Sequence, residues 1–177
     1  MFPPSRIVCL TEETVEAIYL LGEQDRIVGI SGYVVRPPQA RREKPRVSAF
    51  TSANIDKILA LKPDLVLTFS DLQADIAADL IRRGLNVHAF NQRSVDGILD
   101  MIRMLGAMID ANGRAEELLA TLEAGLCPHL LALAREERAS GVRWPPEYRR
   151  IVEDPDLPRR KEILSFLSRN RLPAAYR

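Results

Sequence analysis

Three aromatic residues, Tyr33, Phe50 and Phe69, each stand at or just after the end of a short β-branched or aliphatic run. If those runs are parallel strands, the rings gather at the carboxyl ends of the sheet, where open α/β sheets hold their ligands. Three rings on one rim make a flat, apolar surface suited to a large planar or chelated small molecule. The same positions also suit rings that close a core beneath the strand ends, Phe50 and Phe69 most readily. The pattern leaves both roles open. Ser70 and Asp71 follow Phe69 directly and would add polar contacts at the rim.

Other chemistry has little to stand on. There is no Gly-x-x-x-x-Gly-Lys-[Ser/Thr] loop, no Gly-x-Ser-x-Gly elbow and no Gly-x-Gly-x-x-Gly turn, so phosphate cradles, nucleophile elbows and dinucleotide sites have no carrier. Carboxylates are plentiful, but no spacing singles out an acid–base pair. The chain is therefore read as a non-enzyme with no catalytic residue and no cofactor. Its two histidines, His88 and His129, lie far apart, and Cys9 and Cys127 form no Cys-x-x-Cys pair, so no metal site is expected. Cys9 sits in an apolar run and reads as a small buried hydrophobe. With 25 basic against 24 acidic residues, the chain lacks the basic excess that a nucleic-acid partner requires.

The elements that must position the rings follow from periodicity. Short β-branched or aliphatic runs at 6–10, 26–30, 64–69 and 86–90 read as strands, the first of them buried, and 46–48 offers a further short one. Helical patterns separate most of them. Thr11 is the expected N-cap of the first, with Glu12 and Glu13 in its opening turn and Gly22 at its end. A second spans 54–61, before Pro63, and a third spans 72–83, closed by Gly84. Residues 31–45 read as a loop. Strands alternating with helices specify an α/β fold, here one three-layer α/β/α lobe with a short parallel sheet over 1–93. From Ser94 the pattern is helical alone, with Ile98, Met101, Ile102 and Leu105 at helical spacing. Asn112-Gly113 breaks it, and a second long helix resumes over 114–138, where Pro128 should kink it. Residues 139–177 form a Pro- and Arg-rich tail whose charges read as a solvated surface. No run of about 18 apolar residues offers a membrane span.

These residues resemble a known family. The stretch Arg26-Ile27-Val28-Gly29-Ile30-Ser31-Gly32-Tyr33, then Pro37-Pro38, Pro45-Arg46-Val47-Ser48, the Leu-Lys-Pro-Asp-Leu-Val run at 61–66 with its upstream neighbours, and the segment 84–90 resemble the class III, TroA-like substrate-binding proteins of ABC importers. Among these the vitamin B12 and ferric-siderophore binders are most similar. The resemblance covers residues 6–135. It implies cobalamin or a ferric siderophore as ligand, with Tyr33, Phe50 and Phe69 where B12 binders place ring-contacting aromatics. Phe50 and Phe69 replace what are often tryptophans, so their stacking area is smaller. It also implies that Asp56 docks onto an ABC permease, a role compatible with that of a first-turn carboxylate.

Such proteins have two lobes joined by a long helix. Here the expected organisation is one lobe (1–93), a helical segment with the linker helix (94–138) and the tail (139–177), with no second lobe. One lobe supplies half of a cleft, and two chains paired face to face as a homodimer would rebuild it. The contrasting reading is a cytosolic interaction module that keeps the fold without transport. The family works outside the cytoplasm, whereas the first residues lead into a strand with no apolar export segment, so the chain as written is expected to be cytoplasmic.

Overall fold

The computed structural model describes residues 2–125; the remainder of the second long helix, His129, Cys127 and the tail lie outside the described residues. Packing divides the chain into two units, residues 1–120 and 121–177; the sheet and its rim belong to the first.

Five strands, β1 (Ile7–Cys9), β2 (Ile27–Ser31), β3 (Arg46–Ser48), β4 (Leu65–Phe69) and β5 (Val87–Phe90), form one sheet in the order β3-β2-β1-β4-β5. Every pairing is parallel. The chain winds outward from β1 to β3, then returns to the other side of β1 for β4 and β5. Winding therefore reverses between β1 and β4, the place where open sheets leave a crevice. Among the described residues six α-helices accompany the strands: α1 (Glu12–Leu20), α2 (Ala40–Glu43), α3 (Ile55–Ala60), α4 (Ala74–Arg82), α5 (Val95–Met108) and α6 (Asn112–Gly125). The α/β class and the five strands agree with the sequence reading to within a residue at each end. The short α2 lies within the stretch expected to be loop.

The aliphatic runs become central strands because both of their faces are covered. Val8, Leu10, Val47 and Val66 pack with Ile58 of α3 and Leu80 of α4 in one core. Ile7 and Cys9 alternate to the opposite face, which α1 and α5 cover with fully buried Val15, Ile18 and Leu105. The core continues beyond residue 93, because Leu105, Ala115 and Leu119 are also buried. A Cβ on Gly106 would lie 2.4 Å from that of Ala115, so α5 and α6 cross with no room for another methyl. Ile98, expected on the apolar side, is 45% exposed, and its neighbour Leu99 is buried instead.

Local polar contacts set the element ends. Asn54 and Ser94 cap α3 and α5, accepting from the backbone N–H of Lys57 at 2.9 Å and of Gly97 at 3.1 Å. Thr11 precedes α1 as expected but makes no side-chain cap bond; its hydroxyl turns to that of Thr14, 3.3 Å away. Gly22 and Gly84 close α1 and α4 with φ of +71° and +82°, where glycine avoids a Cβ clash. The Leu-Lys-Pro-Asp run has a clear structural task. Asp64 accepts from the N–H groups of Ser5 (2.8 Å) and Arg6 (2.9 Å) and from the Ser5 hydroxyl (3.0 Å). Arg6 in turn donates to the carbonyl of Leu61 at 2.6 Å. The starts of β1 and β4 are thus clasped together. No helix among the described residues is long and apolar enough to cross a membrane.

Candidate functional site at the strand ends

The carboxyl ends of the five strands carry the three expected rings on separate segments. Tyr33 follows β2 and is 64% exposed. Its loop is tied to α1 through Arg36, whose backbone N–H donates to Glu12 at 3.0 Å and whose guanidinium lies 3.4 Å from Glu16. Phe69 ends β4, and Phe50 follows β3; both are half-buried. Since β3 is an edge strand, β2 and β1 separate it from β4, and sheet geometry alone would hold Phe50 away from Phe69.

One residue overcomes that separation. Gln73, only 1% exposed, donates through Nε2 to the carbonyls of Leu10 (3.1 Å) and Phe50 (2.8 Å). Its Oε1 accepts from the Phe69 N–H at 3.0 Å. A single amide group therefore joins the end of β1, the loop after β3 and the last residue of β4. Buried amides require such partners, and these hold the backbones of Phe50 and Phe69 within one amide's span, at the reversal point of the sheet. The sequence reading did not single out Gln73. Its signal was a polar residue on the side of the 72–83 pattern shared with Ile76 and Leu80, where burial demands a specific partner.

Ser70 and Asp71 behave differently from each other. Ser70 is 8% exposed and has φ +54°, a costly backbone state for a residue with a side chain. Its N–H donates to the Phe90 carbonyl at 2.8 Å, and its hydroxyl accepts from the Leu72 N–H at 3.3 Å. Those bonds turn Ser70 into the loop after β4. Asp71 points outward and pairs with Arg93 at 3.1 Å. Arg93, also not singled out, lies with Cζ 5.5 Å from the centre of the Phe69 ring, and its Nε donates to Asn91 at 3.0 Å. The rim at β4 thus presents a guanidinium laid over an aromatic ring.

Asp56 lies exposed in the first turn of α3. Cys9 is fully buried, and burial pushes its thiol up to about 12 despite a contact from Thr14, so it is an inert core residue. Burial holds the His88 imidazole below its usual range, and its ring stands edge-on to Phe90 at 4.4 Å. Among the described residues no three His, Cys, Asp or Glu side chains gather to hold a metal ion. Among the described residues, shallow clefts lie at both edges of the sheet. One, of about 380 Å³, lies beside β3 and includes Ser48 and Lys57; the other, of about 240 Å³, lies beside β5 and includes His88 and Gln92.

Comparison with known proteins identifies the fold. Residues 7–126 match the periplasmic binding protein family. A vitamin B12-binding protein of Vibrio cholerae is 35% identical over 105 residues, 59% of this chain and 38% of that protein. An uncharacterized ABC transporter substrate-binding lipoprotein of Bacillus subtilis is 28% identical over 127 residues, 70% of this chain and 40% of that protein. In the crystal structure of the periplasmic vitamin B12 binding protein of Vibrio cholerae, 52% of the chain aligns with 78% of this one at a TM-score of 0.64 and 29% identity. A periplasmic heme binding protein from Pseudomonas aeruginosa shares the fold at a TM-score of 0.65 and 21% identity, over 77% of this chain and 50% of that one. This chain spans less than half the length of these sequence relatives.

Proposed function

Since this chain belongs to the periplasmic binding protein family, we propose that it captures a corrinoid or a ferric chelate, without covalent chemistry, as the substrate-binding component of an ABC importer. The observation that carries the reading is the Gln73 junction, which draws the Phe50 loop from the sheet edge to the place where Phe69 ends β4. Backbones of two ring-bearing residues joined at a reversal point by a buried amide suit a broad, flat ligand better than core closure. The family relatives named for vitamin B12 support a corrinoid, and those named for heme and for a ferric siderophore complex share the fold. Exposed Asp56, in the first turn of α3, is proposed as the contact for the permease. The working compartment under this proposal is extracytoplasmic, which fractionation of the source cells tests. The described lobe supplies one wall for a ligand, and pairing of two chains around it is proposed as a second.

The test is titration of the purified 177-residue chain with cyanocobalamin and with ferric siderophores, followed by calorimetry and visible absorbance. Saturable binding is expected, falling by about 10- to 100-fold when Tyr33, Phe50 and Phe69 are all replaced by alanine. Sedimentation of the same samples reads whether ligand drives pairing. Absence of heat and of spectral change for every chelate at high micromolar concentration refutes the proposal.

A further inference from the structure

We infer that Arg93 makes the rim selective for chelates that carry a carboxylate or a comparable oxyanion, with Asp71 as the counterion that such a group displaces. The inference rests on the ligand-binding reading above and names the class of chelate that the rim prefers.

Three observations lead there. First, the Arg93 guanidinium lies 5.5 Å from the centre of the Phe69 ring, a cation–π distance. A ligand reaching this end of the rim therefore meets a cation laid on the ring, a flat group that itself stacks and donates in a fork. Second, the guanidinium is held but not saturated. Asn91 takes its Nε–H at 3.0 Å and Asp71 faces Nη2 at 3.1 Å, while Nη1 has no partner among the described residues. Third, the pair with Asp71 stands in water. The Asp71 side chain is 82% exposed and that of Arg93 60%, and ion pairs so exposed contribute little.

Exchange of Asp71 for a ligand carboxylate keeps the ring contact and the Asn91 bond and adds a second N–H···O contact through Nη1. A chelate bearing only amides or esters offers no such exchange. It leaves Arg93 on Asp71, or displaces the cation and strips Phe69 of its partner. Phe69 and Arg93 thus act as one unit, a stacking plane with a fixed positive edge.

The test uses matched pairs that differ only in charge: haemin against haemin dimethyl ester, and a cyanocobalamin monocarboxylic acid against cyanocobalamin. Affinities for the 177-residue chain are compared with those for Arg93→Gln and Asp71→Asn, both exposed positions where thermal melting checks the fold. In whichever pair binds, the acid form should bind about tenfold more tightly than its neutral counterpart. Arg93→Gln should abolish that preference, and Asp71→Asn, which removes the competitor, should strengthen acid binding several-fold. A merely structural ion pair predicts the opposite sign for Asp71→Asn, because it loses the group that orders Arg93. Equal affinities within a pair that binds, or weaker acid binding by Asp71→Asn, overturn the inference and leave the chelate site standing. Failure of all four compounds to bind overturns both.

Discussion

Replacing Gln73 with methionine keeps nearly the same volume and removes every polar atom of the side chain, so it isolates the junction from the packing. The substitution strands the Leu10 carbonyl, the Phe50 carbonyl and the Phe69 N–H. Each buried group left without a partner costs about 1–3 kcal/mol. Leu10 is fully buried and cannot recruit water, whereas Phe50 stands on a half-buried loop that can swing outward and recover a bond. The expected loss is therefore about 2–4 kcal/mol rather than the full threefold sum. For a unit of this size that lowers the melting temperature by roughly 10 °C, as read by far-ultraviolet circular dichroism. Hydrogen exchange supplies the local signature, since the Phe69 amide loses its acceptor and should exchange faster even after correction for global stability.

Gln73→Glu sharpens the argument. A carboxylate can still accept from Phe69, but it turns lone pairs toward two carbonyls and is buried as a charge, both of which favour its protonated form. The folded pKa of the introduced carboxyl then lies above the unfolded value of about 4.3. Between those two values the native state holds more protons than the unfolded one, so stability relative to wild type falls as pH rises and is regained on acidification. A Gln73→Met protein melting within about 2 °C of wild type, or a Gln73→Glu protein whose deficit does not grow with pH, refutes the junction.

Two further outcomes come from contacts away from the rim. Partial burial pushes the Asp64 carboxyl up, but the hydrogen bonds from Ser5 and Arg6 outweigh it and leave the group below the usual carboxylate range. Its contribution is thus present above an unfolded pKa of about 3.9 and lost as pH falls through the lower folded value; Asp64→Asn should cost about 1 kcal/mol at neutral pH, and the gap in urea midpoint should close in acid. Gly106→Ala places a methyl 2.4 Å from the Ala115 Cβ and should destabilise by about 1–3 kcal/mol, much of it recovered by adding Ala115→Gly, a coupling that a double-mutant cycle of melting curves measures.

The strands were legible because each is a short run with a β-branched residue between helical or turn signals, and the central β1 and β4 are aliphatic and buried on both faces, a pattern that survives without knowledge of the partners. The rim was legible only in part. Tyr33, Phe50 and Phe69 could be placed at strand ends by counting, but Gln73 acquires its role from three carbonyl and amide groups on other segments, up to 63 positions away. No local pattern encodes that. Arg93 is similar: in sequence it is one arginine in a loop, and it becomes a rim residue because β5 lies beside β4 and brings it over Phe69. Ser70 shows the reverse case, since its neighbours in sequence marked it for the rim and a positive φ turned it inward. Thr11 marked the start of α1 correctly while its hydroxyl chose Thr14, because a fully buried cap position leaves competing partners within reach.

The clasp at Asp64 also bears on the order in which the chain assembles. Strand β1, at the centre of the sheet, is made first and needs β4 on one side, and Arg6 meets the Asp64 carboxylate across 58 positions. A growing polypeptide therefore carries its future middle strand with one edge unsatisfied until β4 has been synthesised. Such non-local pairing is slow, and an unpaired apolar strand invites association with other chains. During that interval α1 can cover only one face of β1, so the nascent chain is most exposed to aggregation or to chaperones before β4 emerges.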